Sequence, residues 1–470
     1  MLVPPMSVPA GWSHHQGVSL LDGWFPLTVQ IAAAVLLVVA IGWRTRRWRL
    51  IWLPASVAVA VLGAFLVHLY FDSQGLATDP APRSLWIWVG VTVGALGVAV
   101  FGWRSARWWR RGVAIAVVPI ALLATGIVLN QWVGYFPTVS AAWGEITSGP
   151  LPDQVSADDL ASMRNTTRTT GALVPVTTPD SSSHFAHRTE YVYLPPTWFA
   201  GATPPTLPVV MMIAGEFNTP TDWIRTGDAM HTVDAYAAAH HGSAPVMVFV
   251  DAGGSFNNDT ECVNGSRGNV ADHLTDEVRP YVISHFHTSS SAASWGIVGW
   301  SMGGTCSVDL TVMHPDLFSS YVDIAGDAAP TAGTTDQTLS RLYGGNAATA
   351  ASFDPVTVMR KHGPYQGISA WYDDTGGSPT RGHHPGGAGG GGHHWTRSAP
   401  SGGTGLGGRG EGPDTNDQGQ AAQTLCAENR TVDIACQIHT QPGKHSWQFA
   451  STALSVSLPW LASTIGVPGA

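Results

Sequence analysis

Gly299-Trp300-Ser301-Met302-Gly303 spells G-x-S-x-G, the spacing of a serine nucleophile held on a sharp turn between a strand and a helix. A strand-like run, Ala293-Ser294-Trp295-Gly296-Ile297-Val298, leads into it. A helix-like run from Gly304 to Met313 leads out and is closed by His314-Pro315. Such a turn strains the serine and tolerates only small residues at the two outer positions. It exposes the hydroxyl of Ser301 and sets the N–H of Met302 at a helix start, where a developing oxyanion can be held. The chemistry implied is attack on an acyl carbon.

A serine nucleophile needs a base, an acid to orient the base, and a second oxyanion donor. In chains with this turn the order is Ser, acid, His. Pro442-Gly443-Lys444-His445-Ser446-Trp447 places His445 in a turn after the last expected strand, and His445 is the candidate base. His439 precedes the turn and reads as a strand residue. Trp371-Tyr372-Asp373-Asp374-Thr375 ends the preceding strand. Asp374 is the expected acid and Asp373 the alternative, with Asp414, Asp417 and Glu428 behind them. The second oxyanion N–H is expected from Ala214-Gly215-Glu216-Phe217, with Glu216 ahead of Phe217.

These residues need a scaffold. From about residue 186 short apolar strands alternate with helices. Strands are expected at 187–194, 207–213, 244–250, 293–298, 321–324, 367–372 and 431–438. Helices are expected at 223–240, 270–285, 304–313 and 417–428. That alternation predicts a mostly parallel sheet covered by helices on both faces, within one domain over 186–470. Residues 139–185 read as a polar connector with a short helix near 158–164. The stretch 376–413 is dominated by Gly, Pro, Ser, Thr and His and reads as a flexible insertion. Its His383/His384 and His393/His394 pairs read as parts of that low-complexity loop rather than as a metal site. No metal or organic cofactor is required, and no nucleic-acid-binding feature is present.

The first 138 residues are of a different kind. The chain is 12% charged and 44% apolar, and the apolar residues concentrate here. Four runs without Asp, Glu, Lys or Arg (23–43, 50–71, 85–103 and 112–138) each reach the roughly 20 residues that a membrane-spanning helix needs. The first is not read as a cleaved leader, because no Lys or Arg precedes it and basic residues follow. Arg44, Arg46, Arg47 and Arg49 fill the first loop, and Arg104, Arg107, Arg110 and Arg111 the third. The second loop carries Asp72, Asp79 and Arg83. Basic short loops stay in the cytoplasm, so the second half of the chain is expected outside the plasma membrane. Four cysteines, Cys262, Cys306, Cys426 and Cys436, all lie in that half. An even count in an oxidising compartment predicts disulfides, with Cys426–Cys436 and hence Cys262–Cys306 the favoured pairing.

Gly-Trp-Ser-Met-Gly-Gly at 299–304, Ala-Gly-Glu-Phe at 214–217 and His-Ser-Trp at 445–447 resemble the esterase D and antigen 85 (mycolyltransferase) branch of the α/β-hydrolases over roughly 186–465. The resemblance implies an α/β-hydrolase fold and ester hydrolysis or acyl transfer through an acyl-serine. Two departures stand out. Antigen 85 proteins are secreted, whereas four spans are expected here. Their acid is a Glu in the helix region before the last strand, and Gln420–Gln423 offer no carboxylate, so the acid is expected at the strand end. The function expected is a membrane-anchored extracytoplasmic serine esterase or acyltransferase acting on ester-linked acyl groups, including envelope lipids or glycolipids. The alternative is a catalytically silent envelope scaffold on the same fold. Transport through the spans is disfavoured, because they carry no Asp, Glu, Lys or Arg.

Overall fold

The computed structural model describes residues 17–74, 81–147, 151–375, 415–443 and 445–470. The expected insertion at 376–413, with its histidine pairs, and Asp414 lie outside the described residues. Four long helices open the chain: α1 (Trp24–Ile41), α2 (Leu53–Gln74), α3 (Arg83–Gly102) and α4 (Trp108–Val133). All four are long and apolar enough to cross a membrane, with mean hydropathy from 2.0 to 2.5. Helix α1 packs on α4, α4 on α3, and α3 on α2. Small residues allow the close approach, as where Gly97 faces Ser56 and Gly94 faces Ala60. The Thr92 and Thr125 hydroxyls pair at 2.8 Å between α3 and α4. Outward-facing Val38, Val61, Ile87 and Leu122 are all more than half exposed. So much bare apolar surface suits lipid and not water.

The remainder builds an eight-stranded sheet of order β1-β2-β4-β3-β7-β8-β9-β10. The strands are β1 (Ala172–Val176), β2 (Glu190–Leu194), β3 (Val209–Ile213), β4 (Val246–Val250), β7 (Trp295–Trp300), β8 (Ser320–Ile324), β9 (Ser369–Asp374) and β10 (Ala435–Thr440). A two-residue hairpin, β5 (Asn264–Gly265) and β6 (Gly268–Asn269), stands apart. Pairing from β4 through β10 is parallel, and β1 and β2 are antiparallel. The central strands β3, β4 and β7 are apolar throughout, because helices bury both faces. Both disulfides form as expected, Cys262–Cys306 and Cys426–Cys436.

Local boundaries differ from the sequence reading. Strand β1 lies inside the expected polar connector; Ala172-Leu173-Val174-Pro175-Val176 is too short to signal a strand until β2 is there to pair with it. The single helix expected at 223–240 is two, Pro220–Arg225 and Ala229–Ala239, broken at Asp228 in a left-handed conformation. Helix α4 stops at Val133 rather than near 138. Gly134 caps it at φ 70°, and the chain turns directly onto the sheet domain.

The two halves touch at one end of the helices. Leu20 and Val139 exchange backbone bonds with Pro137 and Val18 at the start of α1. The Tyr135 hydroxyl donates to the Asp222 carboxylate, and Asn257 bonds Tyr70, near the end of α2, at 3.3 Å. At the other end the arginine loops meet, with Arg44 donating to Gly102 O at 2.8 Å. Twenty-six residues of α4 span about 39 Å between the two ends.

Candidate active site

Ser301 directly follows β7 and precedes the Met302–Met313 helix, at φ 59° and ψ −121°. A left-handed φ is costly for a residue with a side chain, by about 1–3 kcal/mol. The turn holds it through Ser301 N–H to Ile324 O at 3.0 Å and Gly304 N–H to Ser301 O at 2.7 Å. The flanking glycines are sterically required. A Cβ on Gly299 would lie 1.6 Å from Gly303 O, and one on Gly303 would lie 2.3 Å from Ile213 O. Met302 begins the helix, and the first N–H groups of a helix have no partner within it.

The turn after β10 brings His445 to the serine, across 144 residues of sequence. Ser301 Oγ donates to His445 Nε2 at 3.0 Å, and His445 Nδ1–H donates to Gln418 Oε1, also at 3.0 Å. The imidazole stacks on Trp300, with ring centroids 4.1 Å apart. Burial pushes its pKa down to about 4, since a charged ring here would lose its water. His445 is therefore neutral across the ordinary pH range, as a general base must be.

Here the structure corrects the expected acid. Gln418, from the start of the Thr415–Thr431 helix, takes the Nδ1 contact that was assigned to Asp374. Asp373 faces another histidine. It accepts from His439 Nδ1 at 2.9 Å and from Gln441 Nε2 at 2.9 Å. Burial nonetheless raises its pKa, against the pull of His439. Asp374 alternates to the opposite face of β9 and is buried. Neither aspartate lines the cavity at Ser301, whereas Gln418, Gln420, Ala421 and Thr424 do. Glu428 is also elsewhere, paired with Arg360 at 2.8 Å. The departing signal was an amide: scanning that helix for carboxylates alone passes over Gln418.

The loop after β3 closes the other side of the serine. Gly215 comes so near that a Cβ would sit 3.0 Å from Ser301 Cβ. Gly215, Glu216 and Phe217 all line the cavity, and Phe217 holds φ 67°. An ion pair fixes this loop. Arg188 grips Asp251 at 2.6 and 3.0 Å and donates to Asn218 O at 2.8 Å. Burial raises the Asp251 pKa, but the Arg188 bonds and charge outweigh it and hold the carboxylate below its ordinary value. Arg188 and Asp251 carry no motif in the sequence, and only the fold pairs them.

The cavity measures about 610 Å³, within the range that accepts small organic ligands. Trp132 and Val133, the last residues of α4, line it together with Trp300 and Trp447. The end of a membrane-capable helix is thus part of the wall around Ser301.

A family model for Putative esterase matches residues 181–458. An uncharacterized protein of Corynebacterium glutamicum is 30% identical over 358 residues, covering 73% of this chain and 81% of its own. Among solved structures, an S-formylglutathione hydrolase from Agrobacterium tumefaciens is similar at 16% identity and TM-score 0.47, over 64% of this chain and 98% of that one. MPT51 of Mycobacterium tuberculosis is similar at 15% identity and TM-score 0.38, over 62% and 99%. With its mostly parallel sheet, its serine on a strained strand-to-helix turn and its match over 181–458, the chain belongs to the Putative esterase family.

Proposed function

We propose that the protein is a membrane-anchored serine esterase or acyltransferase whose catalytic domain lies outside the plasma membrane. The observation that carries this reading is the Ser301 Oγ to His445 Nε2 hydrogen bond of 3.0 Å on a strained turn facing a cavity. In this mechanism His445 takes the Ser301 proton as Oγ bonds the ester carbonyl carbon. The oxyanion is held by the N–H groups of Met302 and Glu216. Collapse breaks the carbon–oxygen bond, and the imidazolium returns its proton to the leaving alcohol. Water or a second alcohol then repeats the steps in reverse and frees the acyl group. Gln418 orients the imidazole through Nδ1, in the role first given to Asp374.

The anchoring rests on four helices of membrane-spanning length and on eight arginines gathered in the first and third loops, away from the sheet domain. Basic loops favour the cytoplasmic side, which sets the catalytic domain opposite. Trp132 and Val133 in the cavity wall support a substrate drawn from the membrane surface, an acyl lipid or glycolipid. The Gln418 contact also favours the second reading, a silent scaffold, since an amide adds no charge beside the base.

One experiment separates the two. A fluorescent alkyl phosphonate, reactive toward activated serines, is applied to the full chain in detergent and to Ser301→Ala and His445→Ala. Labelling of the wild type alone is expected. Labelling that persists in Ser301→Ala moves the nucleophile elsewhere, and no labelling of folded wild type favours the scaffold.

A further inference from the structure

We propose that the loop after β4, residues 253–258, seats Phe256 in the membrane leaflet nearest the sheet domain, and that Phe256 and Phe217 lead an acyl chain from that leaflet to Ser301. This rests on the reading of the cavity as a membrane-anchored esterase site and names the part of the chain that takes its substrate from lipid.

Phe256 is 70% exposed. Past residue 147, the other large apolar side chains exposed among the described residues are Val456 at 40% and Ile438 at 36%. One bare apolar residue on a surface is ordinary, so its place decides its meaning. The next residue, Asn257, donates from Nδ2 to the Tyr70 hydroxyl at 3.3 Å. Tyr70 lies inside the second membrane-capable segment, Trp48–Phe71, about one turn before α2 ends at Gln74. A tyrosine at the end of an apolar span marks the boundary between hydrocarbon and water. The loop tip is therefore level with that boundary. Trp24, which starts α1 at the same end of the bundle, is 67% exposed. Aromatic rings with one side in lipid suit this depth.

The loop is braced. Asp251 Oδ1 accepts from the N–H groups of Gly253 and Gly254 at 3.2 and 3.1 Å. Asn258 Nδ2 donates to Gly253 O at 3.0 Å and to Arg267 O at 2.9 Å, which closes the tip. Gly254 holds φ 68°, and a Cβ there would lie 2.5 Å from Ala186 O. A loop fixed in this way keeps a phenylalanine out of the core. In water that arrangement gains nothing, whereas lipid removes the ring from water.

Inward from Phe256 the apolar side chains follow one another. Its ring centroid lies 5.4 Å from that of Phe217, which is half-buried and lines the Ser301 cavity. Trp132 and Val133, at the sheet-domain end of α4, line the same cavity. An acyl chain moving along this path exchanges lipid for apolar protein surface, so its methylenes avoid the cost of entering water. A second copy of the chain is the competing occupant for Phe256. The contact with Tyr70 at the end of a span favours lipid.

The test uses the full chain reconstituted in phosphatidylcholine vesicles. Its four cysteines are paired, so Phe256→Cys takes a nitroxide label at one site. The label is expected to relax more with oxygen, which partitions into lipid, than with a water-soluble nickel chelate. The reverse order overturns the lipid seat, and dipolar broadening between labels assigns Phe256 to a second copy instead. The acyl path is read with palmitoyl and acetyl esters of umbelliferone. Phe256→Ser is expected to lower the palmitoyl-to-acetyl ratio of kcat/KM tenfold or more, and Phe256→Leu less than threefold. An unchanged ratio in Phe256→Ser, whether or not both rates fall, overturns the path while leaving the serine esterase standing. Turnover of neither ester by the wild type ends the esterase reading and the acyl path with it, and the label alone then decides the lipid seat.

Discussion

Gln418 receives the Nδ1–H of His445 as an aspartate would, so the tautomer that leaves Nε2 free for Ser301 is secured. What the amide lacks is charge to stabilise the imidazolium that forms. Among the described residues no carboxylate adjoins the ring, and burial holds its pKa at about 4. A base protonates as pH falls through its pKa, so the acid limb of kcat/KM is expected near pH 4, far below the ordinary histidine value of about 6.5. Gln418→Glu places a charge beside the ring and should raise that midpoint by about 1–3 units. A pH–rate profile of both proteins checks this; identical midpoints would remove Gln418 from the site. Gln418→Ala loses one orienting bond worth about 0.5–1.5 kcal/mol, up to about tenfold in rate. At this scale Ser301 and His445 were legible from local signals, a G-x-S-x-G turn and a histidine after the last strand. Gln418 was not, because an amide in a helix has no distinguishing pattern and its role comes only from what it touches.

Helix α4 does more than end a membrane segment. Gly134, at φ 70°, turns the chain under the His445 loop, and a Cβ there would lie 3.0 Å from Ser446 Cβ and 3.4 Å from His445 O. Tyr135 then docks on Asp222, whose carboxylate also caps its own helix through Thr219 N–H. Gly134→Val adds both a strained φ and a collision, and should lower Tm and displace His445. The expected result is a fall in kcat of tenfold or more, read with a soluble ester. An unchanged kcat would show that the helix end does not position the base. The sequence marked this helix by its apolar length but placed its end too late, since hydropathy continues through Tyr135 and Phe136 while the backbone has already turned. The split of 223–240 has the same origin. Periodicity runs on through Gly227 and Asp228, and packing decides where the helix breaks.

Across the whole molecule, stability depends on a buried charge network that joins β2 to the 270–286 helical segment. His273 donates to Glu277 at 2.9 Å and meets Glu190 at 3.4 Å, with all three buried. Burial opposes the His273 charge, but Glu190 and Glu277 outweigh it and raise the pKa. Burial likewise raises Glu277, yet Ser183, His273 and the N–H of Ser182 prevail and pull it down to about 2. The His273 contribution is complete below its unfolded value of about 6.5 and is lost as pH rises through the raised folded value. The Glu277 contribution is complete above about 4.5 and is lost as pH falls toward 2. The network is therefore fully in force between roughly pH 4.5 and 6.5. Tm is expected to fall above that window, and less steeply in His273→Gln. Buried Asp309 and Asp323, whose pKa values burial raises, weaken the fold in the same direction, so the difference between the two slopes is the quantity to measure. The sequence by itself determined four apolar helices, an alternating α/β domain, two disulfides and the serine–histidine pair, because each is written in composition, periodicity or adjacent residues. The amide at His445, the Arg188–Asp251 brace and the helix end inside the cavity were decided by tertiary structure alone. Each depends on side chains tens to hundreds of residues apart, and nothing local records which of them the sheet will bring together.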